Sequence, residues 1–123
     1  MLNLQSHQEP LSYEQNAMIL ALTGAIDKIT CKSFEKQLLD YLNVGYRYII
    51  LNCAQLKSIN STGFQVLLKI VESYQATGGV VLFINVSSYI IRFFEVLGFP
   101  PLLTSFSNEK DALQYLTQQV AQI

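Results

Sequence analysis

Three adjacent polar side chains, in the stretch INSTGFQVLLKI, are the residues best placed to do chemistry in this chain of 123 residues. Asn60, Ser61 and Thr62 follow an apolar segment and precede a helical pattern. One such residue is enough to cap a helix. A hydroxyl exposed at a helix N-terminus can also accept a phosphate, because free N–H groups and the helix dipole favour an anion there. Ser61 is therefore either a helix cap or a phosphoacceptor, and Thr62 is the second choice as acceptor.

The sequence lacks the combinations of residues that enzymatic catalysis needs. A serine nucleophile needs a base within hydrogen-bond reach, but the only histidine is His7, near the start of the chain, and no GxSxG motif is present. We interpret His7 as a plain surface residue, because a lone histidine without carboxylate or hydroxyl partners specifies no site. The carboxylates are scattered, and neither GxGxxG nor GxxxxGK[ST] follows a strand. We therefore predict no catalytic residue, no metal site and no cofactor.

The composition indicates a folded protein without affinity for nucleic acid. Half of the residues are apolar, 14% are charged, and the formal net charge is −1. No apolar run approaches the roughly 20 residues of a membrane span, and the first residues lack the pattern of a secretory signal. Cys31 and Cys53 show no CxxC spacing and are expected to be reduced structural thiols. We expect a soluble, cytoplasmic protein.

Strand and helix patterns alternate along the chain without a linker. We predict one domain over residues 1–123, in which residues 1–15 form an N-terminal arm or a weak edge strand. The predicted strands are NAMILALTG, YRYIILNCAQL, VVLFINV and LLTSF, and predicted helices begin near Thr30, Asn60, Ser87 or Ser88, and Asn108. Gly98, Pro100 and Pro101 are expected to end the third helix.

The order of these elements predicts the fold class. Strands separated by helices pair in parallel, and unbroken apolar runs indicate strands that are buried on both faces. We predict an α/β layered sandwich with a mostly parallel central sheet of four or five strands and about four helices. The carboxyl ends of the strands share one edge with the helix N-termini. Asp27, Ser61, Ser87 and Ser88 are expected at that edge, Asp27 as a functional acid or a plain acid before a helix, and the two distal serines as caps.

The element order, together with LTGAID, INSTGFQVLLKI, IIRFFEVLGF and NEKDALQYL, resembles the STAS family of sulphate-transporter and anti-sigma-factor-antagonist domains, from about Met18 to Leu116. Family members commonly carry Asp-Ser-Ser/Thr/Ala-Gly at the start of the second helix, where this chain has Asn-Ser-Thr-Gly. The resemblance implies that Ser61 is the phosphoacceptor, surrounded by Asp27, Asn60 and Gly63. It also implies a partner, an anti-sigma factor-type serine kinase or a related STAS-binding protein, whose complex is broken by phosphorylation.

One departure from the family pattern leaves two functions open. Asn60 replaces the usual aspartate and removes a negative charge beside the acceptor, although asparagine still caps a helix. The protein is either a phosphorylation-switched, non-enzymatic antagonist of an anti-sigma factor or a constitutive STAS subunit of a transport or signalling assembly. A partner surface is expected along one line of the second helix, formed by Thr62, Val66, Lys69, Ile70 and Ser73. Alternatively, the two apolar residues on that line, Val66 and Ile70, pack against a neighbouring helix.

Overall fold

The computed structural model describes residues 1–12, 15–96 and 105–121. Its strands are β1 (Leu2–Pro10), β2 (Asn16–Ile26), β3 (Tyr48–Ile59), β4 (Val80–Ile84) and β5 (Ser105–Phe106). Its helices are α1 (Cys31–Asn43), α2 (Ser61–Ala76), α3 (Ser88–Val96) and α4 (Glu109–Ala121). The predicted α/β class is confirmed. The predicted helix stop at Gly98, Pro100 and Pro101, and residues 102–104 of the strand LLTSF, lie outside the described residues.

The five strands form one sheet in the order β1-β2-β3-β4-β5, so that chain order and spatial order agree. The pairs β2–β3, β3–β4 and β4–β5 are parallel, as predicted. β1 pairs antiparallel with β2 along its whole length, from Leu2 opposite Gly24 to Pro10 opposite Asn16. The segment expected as an arm or weak edge strand is thus a full edge strand. Its apolar signal is weak because most of its side chains are exposed.

Two hydrophobic cores lie on opposite faces of the sheet. Successive residues of β2 alternate between them: Leu20 and Leu22 enter the core beneath α1, α2 and α3, whereas Ala17 and Ile19 enter the core beneath α4. The same alternation runs through β3 and β4. Because both faces are covered, residues 17–22 of β2, 48–51 of β3 and 80–84 of β4 are apolar at every position, and this produces the unbroken runs in the sequence.

Helix α2 packs against both the sheet and α1. The Tyr74 hydroxyl donates a hydrogen bond of 2.5 Å to the Leu38 carbonyl of α1. Ile70 is fully buried in the same core, and Val66 is half-buried against it. The prediction that Ile70 belongs to an exposed partner surface is therefore wrong. The alternative is that Val66 and Ile70 pack against a neighbouring helix, and their burial in the core agrees with packing inside the fold.

The two cysteines occupy structural positions, as the sequence predicts. Cys31 is the first residue of α1 and Cys53 lies on β3, and both are buried and free. Burial raises the pKa of the Cys53 thiol to about 12, so that it stays protonated and unreactive near neutral pH. Among the described residues, no helix combines the length and apolar character that a membrane span requires.

The first turn of α2 lies directly on the end of β2. A Cβ atom at Gly63 would be 2.5 Å from the Ile26 carbonyl oxygen and 2.8 Å from its Cγ2 atom. The Asn60 N–H group donates a hydrogen bond of 3.2 Å to the same carbonyl oxygen. Any side chain at position 63 would therefore push the helix start away from the strand, and glycine is required for this close approach.

Gly63→Ala is expected to destabilise the protein by about 1–3 kcal/mol, because the added methyl group would meet backbone that cannot move aside cheaply. Intrinsic helix propensity alone predicts the opposite sign, a gain of up to about 1 kcal/mol. Urea unfolding monitored by circular dichroism measures the difference. Thr62→Ala, at the exposed preceding position, is the matched control and should lie within about 0.5 kcal/mol of wild type. A Gly63→Ala variant as stable as wild type would contradict the close approach.

Candidate functional site

Asn60 caps helix α2. Its backbone is extended, and its side-chain Oδ1 accepts a hydrogen bond of 2.8 Å from the Gly63 N–H group. Its own N–H group bonds to Ile26, as described above, so that two of the four free N–H groups at this helix end are satisfied. The contact with Ile26 holds the start of α2 against the end of β2, whereas the contact with Gly63 closes the first turn of the helix. The alternative in which Ser61 serves as the cap is wrong, because Asn60 fills that role.

Ser61 and Thr62 are the first two residues of α2, and both are exposed. Within the described part of the chain, neither hydroxyl group makes a hydrogen bond, and the N–H groups of both residues lack an acceptor. The arrangement presents two hydroxyls and two backbone donors at the positive end of a helix of 16 residues. Such a site can stabilise an added anion through the free donors and the dipole.

Asp27 closes the turn that leads into α1. Its Oδ1 accepts hydrogen bonds from the N–H groups of Ile29, at 2.9 Å, and Thr30, at 3.0 Å. The Thr30 hydroxyl donates to the Ala25 carbonyl at 2.8 Å and accepts from the Asp27 N–H group at 3.0 Å. The pKa of Asp27 is lowered chiefly by the backbone hydrogen bond from Thr30, and the carboxylate is a fixed negative charge near neutral pH. This geometry gives Asp27 a structural duty as a pre-helix acid.

The sheet register decides which predicted residues share an edge. Ile26 pairs with Ile59, so that Asp27 and Asn60 each follow a paired residue at the same edge. β4 ends with Ile84 opposite Asn52, well before the end of β3. Asp27 and Ser61 thus lie at the ends of neighbouring long strands. Ser87 and Ser88 follow the carboxyl end of β4, at the same edge of the sheet, but β4 ends opposite Asn52, seven positions before the end of β3.

The two distal serines act at the start of α3. Ser87 Oγ accepts a hydrogen bond of 3.2 Å from the Ile90 N–H group, and Ser88 is the first helical residue. The role of Ser87 as a cap is as predicted. Asn108 caps α4 in the same way, through a hydrogen bond of 2.8 Å from the Asp111 N–H group to its Oδ1.

Part of the predicted partner surface on α2 faces α1 instead of solvent. Lys69 Nζ lies 3.3 Å from Glu35 Oε2 of α1, and the Ser73 hydroxyl donates to the Lys69 carbonyl of its own helix. The exposed face of α2 instead follows the first hydroxyl at helical spacing: Ser61, Gln65, Lys69, Glu72 and Ala76. Sequence reasoning missed Gln65 and Glu72. Counting in steps of three and four from Ser61 would have found them.

An exposed apolar residue and a cleft adjoin Asp27. Ile29, in the turn before α1, is 88% exposed. A cleft of about 420 Å³ lies between this turn and the start of β1, lined by residues that include Leu2, Leu4, Asp27 and Thr30. Ser61 is not among its lining residues. Ser61 is exposed at the start of α2, so a protein partner can reach its hydroxyl.

The parallel sheet with an antiparallel edge strand, and the polar helix start at its carboxyl edge, define a layered α/β domain. The chain matches the family model of the STAS domain over residues 11–112. Because the match covers most of the sequence, this protein belongs to the STAS domain family. The resemblance inferred from the sequence motifs is confirmed.

Solved structures share the fold at low sequence identity. A proposed anti-sigma factor antagonist from Thermotoga maritima is 18% identical, with a TM-score of 0.81 over 91% of this chain and 92% of that chain. The Bacillus protein SpoIIAA in its phosphorylated form is 18% identical, with a TM-score of 0.65 over 91% and 99% of the two chains. Moorella thermoacetica RsbS with a serine-to-glutamate substitution is 12% identical, with a TM-score of 0.76 over 98% of each chain.

Asn60→Ala is expected to destabilise the protein by about 1 kcal/mol, because the Gly63 N–H group loses its acceptor. Ser61→Ala should change stability by less than about 0.5 kcal/mol, since its hydroxyl caps nothing. Asn60→Asp keeps the acceptor and complements the dipole, so it should be at least as stable as wild type. Urea unfolding of the three variants measures these effects. Equal losses for Asn60→Ala and Ser61→Ala would contradict the assignment of the cap.

Asp27→Asn is expected to lower stability near neutral pH, because an amide oxygen accepts the turn hydrogen bonds more weakly than a carboxylate. The pKa of Asp27 lies below its ordinary value of 3.8 in the folded state, so its contribution is complete above that value and is lost as the pH falls through the folded pKa. The difference between wild type and variant, measured by urea unfolding, should therefore shrink on acidification. A difference that grows on acidification would contradict the assignment.

The control for this pH dependence is Glu72→Gln. Glu72 is an exposed carboxylate on α2 whose side chain makes no hydrogen bond within the described residues. The variant removes one negative charge without touching the turn before α1. The unfolding free energy of each variant is compared with that of wild type. If Glu72→Gln and Asp27→Asn show the same difference with the same pH dependence, the effect comes from net charge and not from the Asp27 hydrogen bonds.

Proposed function

We propose that this protein is a non-enzymatic regulator of the anti-sigma factor antagonist type, which exchanges protein partners when Ser61 is phosphorylated. The observation that supports this most directly is the division of roles at the start of α2. Asn60 carries the cap, and the Ser61 hydroxyl is exposed and unused by the fold. A kinase can therefore modify Ser61 without dismantling the helix start.

The physical basis of the proposed switch is electrostatic. A phosphate adds about 1.5 to 2 negative charges near neutral pH. The free N–H groups of Ser61 and Thr62 and the helix dipole offset part of that charge within this protein. Asp27, held ionised at the same edge, adds a further negative charge. The phosphate would repel an acidic contact surface of a partner, and an apolar contact surface would have to desolvate it. Either effect would weaken binding, whereas the partner would bind the unphosphorylated edge.

The unphosphorylated edge offers contacts of the kind that a protein partner needs. Ile29 provides exposed apolar area beside Asp27, and Gln65, Lys69 and Glu72 extend the surface along α2. Aliphatic area bordered by polar groups is typical of protein interfaces. The partner that this edge fits best is an anti-sigma factor-type serine kinase, because one protein would then both bind the edge and modify its hydroxyl.

The fold neighbours support this proposal by analogy. SpoIIAA is described in unphosphorylated and phosphorylated forms, and RsbS is described with glutamate in place of a serine. An enzymatic role for Ser61 finds no support in the described residues. The only histidine, His7, contacts Glu9 and Glu109 instead of Ser61, so no imidazole base stands beside the hydroxyl.

A second candidate function is a constitutive STAS subunit of a transport or signalling assembly, without phosphorylation. The residue that favours it is Asn60, which leaves the position beside Ser61 neutral and commits its side-chain oxygen to the Gly63 N–H group. No carboxylate on that side chain is available to orient the hydroxyl for phosphate transfer. In this case the partner would bind through the same edge but would be insensitive to the state of Ser61.

The first test is mass spectrometry of the protein recovered from its own cells with phosphatase inhibitors. Trypsin should release residues 58–69 as one peptide, which carries Ser58, Ser61 and Thr62, and fragmentation assigns the phosphate among them. We expect the phosphate on Ser61, its loss in Ser61→Ala and its retention in Thr62→Ala. Asn60→Asp should raise the phosphorylated fraction if a carboxylate assists the transfer. An unmodified peptide across growth and stress conditions would favour the constitutive subunit.

The second test measures affinity for the partner identified by crosslinking. Ser61→Asp should weaken binding about tenfold or more, because it places a charge at the start of α2, whereas Ser61→Ala should bind as wild type does. Gln118→Glu, which adds one negative charge at an exposed position of α4 away from this edge, is the matched control. Equal affinities for Ser61→Asp and Ser61→Ala would contradict the switch and leave the constitutive subunit as the function.

A further inference from the structure

Three side chains that can ligate a metal ion lie close together on the face of the sheet that α4 covers. α1 and α2 cover the other face. His7 and Glu9 lie on β1, and Glu109 is the first residue of α4. His7 Nε2 lies 3.3 Å from Glu109 Oε1 and 4.0 Å from Glu9 Oε1. One ligand atom from each residue lies within 4.8 Å of the other two. His7 is a surface residue, as the sequence predicts, but the prediction that it has no carboxylate partner is wrong.

The backbone holds these three side chains on one side of the sheet. His7 and Glu9 are two positions apart on a strand, so they project from the same face. They pair with Ile19 and Ala17, which enter the core beneath α4. Glu109 is held by the capped start of that same helix, described above. The cluster is therefore set by one strand register and one helix start, and does not depend on a loop.

We propose that His7, Glu9 and Glu109 form a binding site for a divalent transition-metal ion of the Zn²⁺ class. Imidazole nitrogen with carboxylate oxygen is a donor set for such ions, whereas Mg²⁺ and Ca²⁺ favour oxygen alone. Bonds of about 2.0 to 2.2 Å place two ligand atoms of a tetrahedron about 3.4 Å apart. The spacing between His7 and Glu109 already fits. Glu9 is half-exposed and has room to close the remaining gap.

The charges and the open side of the cluster agree with this assignment. Two carboxylates balance the charge of one divalent ion, and without an ion they are like charges held close together. A cleft of about 710 Å³, bordered by Glu9, Glu109 and Gln114, leads to the cluster. Three protein ligands would leave a fourth position facing this cleft, available to water or to an external ligand. A bound ion would link the edge strand β1, through His7 and Glu9, to α4, through Glu109.

Zinc binding to the full chain without an affinity tag tests the proposal. After removal of metals with a chelator, titration with ZnCl₂ by calorimetry should show one ion per chain. His7→Ala and Glu109→Gln should each weaken binding about tenfold or more. His7→Gln, which retains a polar side chain on the strand, separates loss of a ligand from loss of folding. Glu95→Gln, at an exposed carboxylate on α3, is the matched control and should bind zinc as wild type does.

Cobalt reports which donors are used. Co²⁺ in place of Zn²⁺ should give visible absorption without a thiolate charge-transfer band, and His7→Gln should abolish it. A thiolate band would overturn the proposal, because it would assign the metal to a cysteine. Absence of saturable zinc binding by wild type, or wild-type affinity in His7→Gln, would also overturn it. The cluster would then be a surface contact of His7 with the two carboxylates and no metal site.

Discussion

The arrangement of the candidate site depends on the contact between the first turn of α2 and the end of β2. The Ile26 carbonyl both accepts a hydrogen bond from Asn60 and excludes any side chain at Gly63. These two effects fix the distance and the direction of approach of the helix start. The core beneath α2 cannot do this alone, because apolar contacts are not directional. Ser61 is therefore held outward by backbone geometry.

In the stretch Asn-Ser-Thr-Gly, different residues cap the helix, permit its close approach to β2 and present hydroxyl groups to solvent. Asn60 caps the helix, Gly63 permits the close approach, and Ser61 and Thr62 are left exposed without a hydrogen bond from their side chains to the described residues. A helix start that needed only stability would require the first two features. The exposed hydroxyls are not explained by the fold, and the proposed interaction at this edge would give them a role. The neutral cap also limits the local negative charge to Asp27.

Patterns within single elements could be predicted from the sequence, whereas contacts between distant elements could not. The central strands, the cap at Asn108 and the buried stripe of α2 follow from local periodicity and capping chemistry. The assignment of Ile70 to an exposed line is wrong for a different reason: it lies three positions after Leu67 and four before Tyr74, so the local spacing already places it on the buried stripe. His7 and Glu109 are 102 positions apart, and their contact requires the register of β1. The spacing of Glu9 from His7 was a local signal that could have been used.

The exposure of Ser61 determines where the effect of a phosphate would appear. A modification shifts an equilibrium only by the difference in its interactions between the two states. In the folded protein alone the phosphate would remain largely hydrated, and the free N–H groups and dipole at the start of α2 would stabilise the domain by no more than about 1 kcal/mol. When a partner covers the edge, the same charge would be desolvated and would face whatever the partner presents. The proposed switch therefore requires no conformational change in this protein, because the free energy of the phosphate is expressed mainly in the complex.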